Sequence, residues 1–302
     1  MSANDTSHIV QSLFANLAIA VAKGVAAFFT GSGAMLAEAI HSGADCSNQG
    51  LLLLGVKAAR KPADATHPMG YGRNLYFWSF MVAMLLFTMG GAFSVYEGIH
   101  KIQHPEPVEN VLVGLGVLGF SLILEGGSTL SNIRELNKRR GEVPFFQFLR
   151  ETKDSDLIVV FGENAAASLG LILAGTTLVL AWSTGNGVWD GVGSLLVGIV
   201  LLGVALFLAI EVKSLLVGES ADPSISKAVG TIVAAHPKIV AVLRQITIQQ
   251  GPGEVMVAVK VHMADGLSGA EVIDVINAFE AELQTKHPEV RWLFVEPDVP
   301  GR

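Results

Sequence analysis

The sequence predicts an α-helical membrane protein: six transmembrane helices, then a small C-terminal domain of order αββαβ. Three observations predict it. Of the 302 residues, 51% are hydrophobic and only 16% are charged, against roughly 25% charged in soluble domains. The deficit falls in the first two thirds, where Gly, Ala, Leu and Val run for about 20 residues at a time, the length that crosses a bilayer. From about Glu219 the composition returns to that of a soluble domain, with the periods of short helices and strands. Residues 1–214 are therefore read as a membrane domain and 215–302 as a soluble one.

The six spans are expected near 9–29, 32–57, 75–99, 111–133, 157–182 and 188–210. Lys57, Arg60, Lys61 and Arg73 lie between the second and third. Arg134, Lys138, Arg139, Arg140, Arg150 and Lys153 lie between the fourth and fifth, while the loops after spans one and five carry no Lys or Arg. Positive loops stay on the cytoplasmic side, so both termini are placed in the cytoplasm. A multi-pass chain of this kind is expected in the cell inner membrane. The opening residues MSANDTSH lack the basic flank and cleavage site of a secretory signal, so the first apolar segment is expected to remain as a span. Tyr76, Trp78 and Trp182 near span ends read as interfacial aromatics.

Span two carries LAEAIHSGADCSNQ at 36–49. His41 and Asp45 are four residues apart, on one face of a helix, with Asn48 a further turn along. Ionisable groups at membrane depth are costly and usually face the bundle interior. An imidazole beside a carboxylate begins a divalent-metal site or a proton relay. The plainer alternative is a buried His–Asp hydrogen bond that ties helices together. Other polar residues recur in the spans: Asn16 and Lys23 in the first, Glu125 in the fourth, Glu163 and Asn164 in the fifth, Asp190 and Ser194 in the sixth. Glu125 either pairs with Lys23 or carries a proton. Gly126 and Gly127 beside it would allow close helix approach.

The linker 141–150 is short and amphipathic, with Phe145, Phe146, Phe148 and Leu149 suited to the headgroup boundary. In the tail, Asp222 before Pro223 reads as a helix N-cap with Pro at the first helical position. That helix runs to about His236. Residues 242–249 alternate as a strand, 250–253 (QGPG) form a turn, and 254–263 alternate again, with Val255, Val257, Val259 and Val261 on one face. A helix over 268–286 and a strand over 290–295 complete a small sheet with helices on one side. His262 falls on the polar face of its strand. The net charge of −7 and the lack of a basic cluster give no support for nucleic-acid binding. The single cysteine, Cys46, excludes an internal disulfide and a cysteine-based zinc site. No nucleophile pairing or His-Glu-x-x-His run suggests an enzyme.

Together these residues resemble the cation diffusion facilitator family. The resemblance rests on SGAMLAEAIHSGAD at 32–45, HPMGYGRNLYFW at 67–78, ENAAASLG at 163–170 and DGVGS at 190–194. CSNQGLLLL at 46–54 and GESADP at 218–223 are similar to the branch that holds mitochondrial zinc-transporter-type members. The resemblance implies a homodimer that exports divalent cations, usually Zn²⁺, from the cytoplasm in exchange for protons. It also implies a ferredoxin-like or metallochaperone-like cytoplasmic tail that dimerises, and no bound cofactor beyond the transported ion. Spans two and five of the family each give two ligands to a tetrahedral site. His41 and Asp45 match the span-two pair. Asn164 falls where the family has Asp and Val160 where many members have His, which leaves Glu163 as the candidate for the missing oxygen. Glu163 is turned by about 100° from Asn164 on the helix. The implied set is His41, Asp45, Glu163 and Asn164. Its oxygen content would also suit Mn²⁺ or Fe²⁺, and a degraded site would instead leave a non-transporting scaffold or sensor. Asp64 and His67 match part of a second metal site, but Tyr71 replaces its other His, so that site is expected absent or labile. His262 matches one metal-binding His of the tail, without its companions.

Overall fold

The computed structural model describes residues 3–152 and 155–300, with side chains from Leu17 onward except at 52, 151 and 155–157. The side chain of Asn16 and the whole of Lys153, named above, lie outside these. The chain forms two compact units. The helical unit takes the chain up to Gly55, then Phe77–Leu149 and Ser155–Val212; the second unit takes Val56–Tyr76, the segment from Arg150 to Asp154 and the chain from Lys213 onward.

The helical unit is built from α1 (Ala3–Thr30), α2 (Gly33–Ala59), a third long helix, α5 (Val111–Arg139), the short α6 (Phe145–Glu151), α7 (Ser155–Thr184) and α8 (Val188–Val217). The third helix comprises α3 (Asn74–Leu85), a π-helical turn (Leu86–Ala92) and α4 (Phe93–Gln103). Among the described residues four helices are long and apolar enough to cross a membrane: the α3–α4 helix, α5, α7 and α8. Of the six predicted, α1 and α2 are not among these four. α2 has the length, 27 residues, but Glu38, His41, Asp45, Asn48 and Gln49 dilute its apolarity. The described apolar part of α1 is Leu17–Thr30, shorter than a span. These two helices carry the buried Lys23, Glu38 and His41.

The third helix and α8 meet through glycines. A Cβ at Gly98 would stand 2.5 Å from the Leu195 nitrogen, one at Gly198 2.7 Å from the Val95 nitrogen, and one at Gly191 2.8 Å from the Ile102 nitrogen. Gly91 and Gly98 on one helix, and Gly191 and Gly198 on the other, repeat every seven residues, two turns, so they line one seam. Ser194 Oγ adds a hydrogen bond to the Ser94 carbonyl at 3.0 Å. Gly126 and Gly127 play no such part, because a Cβ on either would meet nothing within 4 Å. Phe120, Ile123, Ile199 and Leu206 are exposed, as apolar residues are on a face made for lipid. Trp182 is exposed as well, but Tyr76 is fully buried. The interfacial reading of Tyr76 is therefore corrected: the segment Val56–Tyr76 folds in with the second unit. In the linker, α6 leaves Phe146 exposed and stacks Phe145 edge-on against Phe161, ring centres 5.3 Å apart.

The second unit holds α9 (Pro223–Ala235), β1 (Ile239–Gly251), β2 (Glu254–Met263), α10 (Gly269–Lys286) and β3 (Val290–Pro297). β2 is central, antiparallel to β1 and parallel to β3, and a parallel neighbour requires a crossover, which α10 provides. Val255, Val257, Val259 and Val261 are all buried, and they pack on Ile225, Val229 and Ile232 of α9 and on Val275, Phe279 and Leu283 of α10. Both helix starts are capped, the first as the sequence indicates. Asp222 accepts from the Ser224 amide at 2.8 Å ahead of Pro223. Ser268 and Glu271 form a reciprocal capping box, and the amide of Ser268 is the chief reason that the Glu271 carboxyl is drawn down to about 2.

Candidate cation site

The first turn of α2 is held from a distance. Its leading amides need acceptors, and Asp190 of α8 serves two of them: Gly33 N donates to Oδ2 at 2.6 Å and Ala34 N to Oδ1 at 3.3 Å. Ser32 Oγ donates to the same carboxylate and accepts from Met35 N at 3.1 Å. Asp190 is 1% exposed, and Lys101 stands 3.9 Å away as its counter-charge.

Further along, α2 presents Glu38, His41, Ser42, Asp45 and Asn48 over three turns. His41 is fully buried, and its Nδ1 lies 3.6 Å from Asp45 Oδ1. This is a contact along one helix, too long for a hydrogen bond, so it does not tie helices together. His41 Nδ1, His41 Nε2, Asp45 Oδ1, Asn48 Oδ1 and Gln49 Oε1 are all buried with no hydrogen-bond partner in the protein. The link to α7 comes through Asn48, whose Nδ2 donates to Glu163 Oε1 at 2.6 Å. Asn164 is half-buried one residue on. Its carbonyl accepts from Thr129 Oγ1 at 2.9 Å, and that hydroxyl lies 2.7 Å from Ser168 Oγ. The structure thus joins α2 to Glu163 and α5 to the backbone of Asn164. Among the described residues no group of three or more His, Cys, Asp or Glu side chains stands close enough to hold a metal ion. The predicted set contains three such residues, with Asn164 as its fourth.

Beside this face sits an ion cluster. Lys23 Nζ donates to Glu125 Oε1 at 2.8 Å, Glu38 Oε2 at 3.1 Å and Ser42 Oγ at 2.8 Å. Lys23 and Glu38 are wholly buried and Glu125 is 16% exposed. The expected Lys23–Glu125 pair is therefore present, and Glu38 is a third member that the sequence did not single out. Its spacing was the available signal: three residues before His41, on the same face of α2.

The loop between α2 and α3 is chemically complete. Asp64 Oδ1 accepts from Thr66 N, Thr66 Oγ1 and His67 N, and Oδ2 accepts from Lys61 Nζ and Tyr71 OH, all within 3.1 Å. The Thr66 hydroxyl, then Tyr71, hold the Asp64 carboxyl well below the usual carboxylate range. Lys61 also lies over the Tyr71 ring at 4.3 Å and donates to its hydroxyl, which raises the Lys61 ammonium above its ordinary value. At the position matched to a second metal site, the carboxylate already faces an ammonium, two hydroxyls and two amides. Gly72 completes the loop by close approach: a Cβ there would lie 3.2 Å from Gly251 Cα and collide with the Glu254 carboxylate. In the tail, His262 Nδ1 faces the Asp298 carbonyl at 3.4 Å.

Residues 9–217 match the cation efflux transmembrane domain. The chain is 36% identical over 216 residues to the mitochondrial proton-coupled zinc antiporter SLC30A9 of Xenopus laevis, covering 71% of this chain and 39% of that protein. The human protein of the same name is 35% identical over 222 residues, covering 73% and 39%. Metal tolerance protein C4 of Arabidopsis thaliana is 32% identical over 190 residues, covering 62% and 42%. The matched region spans about two fifths of the length of these relatives. A match over more than half of the chain, on a helical architecture with a polar α2, has one reading: this chain is a member of the cation efflux family of multi-pass membrane transporters, and not an enzyme.

Proposed function

We propose that the protein is a proton-coupled antiporter that carries divalent cations, Zn²⁺ foremost, out of the cytoplasm. In this reading six helices span the bilayer, both termini are cytoplasmic, and residues 215–302 form a ferredoxin-like tail that pairs two copies. The observation that carries the proposal is the run of five unpartnered buried polar atoms between His41 and Gln49. Each such group costs about 1–3 kcal/mol when left unmade, so a fold that keeps five within nine residues keeps them for a ligand. One imidazole with carboxylate and amide oxygens suits Zn²⁺. The relatives named proton-coupled zinc antiporters support both the cargo and the counter-ion.

The cation exchanges its water for His41, Asp45, Glu163 and Asn164. Asn48 orients Glu163 through its hydrogen bond. Metal and proton compete for the same lone pairs, so loading releases protons and acid on the far side unloads the metal. Asp45→Ala tests this in proteoliposomes under a pH gradient. Supporting-shell changes alone weaken metal sites by about 10–100-fold, so loss of this ligand should lower ⁶⁵Zn²⁺ flux by more than that. Unchanged flux would reject the site. The oxygen-rich surroundings of Glu163 favour a second reading, a carrier that prefers Mn²⁺ or Fe²⁺. A panel of divalent cations, run with and without the gradient, separates the two.

A further inference from the structure

We infer that the buried Lys23–Glu38–Glu125 cluster is a proton-carrying site, separate from the cation ligands, whose proton leaves when a cation binds at His41 and Asp45. The inference rests on the cation transport proposed above. It starts from a charge count. One ammonium faces two carboxylates at 2.8 and 3.1 Å, so with both acids ionised the cluster is net negative by one. A structural ion pair needs only one carboxylate, so the second is surplus. Each acid also keeps one buried oxygen without a protein hydrogen-bond partner, Glu38 Oε1 and Glu125 Oε2. An excess charge at membrane depth is costly, and a proton on either acid removes it.

The surroundings make that proton responsive. The cluster is faced from α1 by Lys23, from α5 by Glu125, and from α2 by Glu38, the Ser42 hydroxyl, His41 and Asp45. Among the described residues, α7 contributes no charge at the contact. It presents Gly170, where a Cβ would collide with Glu38 Oε1, so the missing side chain is what admits the carboxylate. His41 follows Glu38 by three residues, about 5–6 Å between neighbouring Cβ atoms on a helix. A divalent charge at His41 and Asp45 therefore stabilises the ionised cluster, and the proton departs to water while the carboxylate keeps the bonding electron pair. No group is oxidised or reduced. By reciprocity, a proton arriving on the cluster weakens the hold on the cation.

The charge count gives a sharp test, because removal of either acid leaves a one-to-one ion pair with no proton to carry. Purified full-length protein in weakly buffered detergent is titrated with Zn²⁺, with binding followed by calorimetry and proton release by a pH-indicator dye. Glu125→Gln and Glu38→Gln should each still bind Zn²⁺ but release about one proton fewer per ion than the unmodified protein. The pH dependence of their affinity should be shallower by the same proton. A purely structural cluster would leave the proton count untouched, and that result overturns the inference while cation transport stands. If the fully buried Glu38 variant fails to fold, the part-exposed Glu125 variant decides alone. If the unmodified protein binds neither Zn²⁺ nor Mn²⁺, the transport reading itself fails and the inference falls with it.

Discussion

Asp45 and Asp64 each stand within 4 Å of a histidine, 3.6 Å for His41 and 3.8 Å for His67, yet their surroundings are opposite. In α2, His41 is fully buried and Asp45 is 20% exposed, and both ring nitrogens and one carboxylate oxygen have no protein partner. The Asp64 pair is exposed, and its carboxylate accepts five hydrogen bonds from within its own loop. The same two residue types thus leave lone pairs unpartnered in one place and make a closed turn in the other. What separates them is whether the protein itself has already satisfied the lone pairs.

The largest expected effect separates the two histidines. His41→Ala should weaken Zn²⁺ binding by more than about 100-fold, beyond what supporting-shell changes do, while His67→Ala leaves the dissociation constant unchanged in the same calorimetric titration. Equal losses would dissolve the contrast. A smaller effect is expected at Asn48, which aims Glu163. Asn48→Ala should cost about 10–100-fold in Zn²⁺ affinity, as an orienting residue does. An unaltered affinity would mean that Glu163 needs no such guide.

The smallest effect concerns acid. The Asp64 carboxyl titrates below its ordinary 3.8 in the folded loop, so its contribution is complete above that value and is lost only as pH falls through the depressed folded one. Hydrogen exchange across 61–72 should therefore stay slow down to the ordinary carboxylate range in the native chain. In Asp64→Asn it should already be faster at neutral pH, with Zn²⁺ flux unaffected. A coincident loss of flux would show that the loop takes part in transport.

The tail was the most legible part of the sequence. Val255, Val257, Val259 and Val261 alternate without interruption, and β2 begins and ends where that alternation does. Strand periodicity and capping chemistry are local signals, so they survive being read one residue at a time. The polar core of the helical unit was half legible. Lys23 and Glu125 stood out because each is a costly charge in an apolar run, and cost implies a partner. Glu38, between Ala37 and Ala39, is marked locally only by its place three residues before His41, and its partner Lys23 lies on another helix.

Asp190 was visible only as an acid at the start of a span. Its role as acceptor for the first amides of α2 joins residues more than 150 positions apart. The glycines were misread for a related reason. Gly126 and Gly127 are adjacent and conspicuous but face open space, whereas the seam at Gly91, Gly98, Gly191 and Gly198 is marked only by a shared seven-residue interval.

The grip of Asp190 on the opening turn of α2 has a mechanical consequence. That end of the rod is clamped to α8, and α8 is in turn interlocked with the third helix, so the three share a common anchor. Any swing that opens or closes access to His41 must pivot there, with the largest travel at the opposite end of α2.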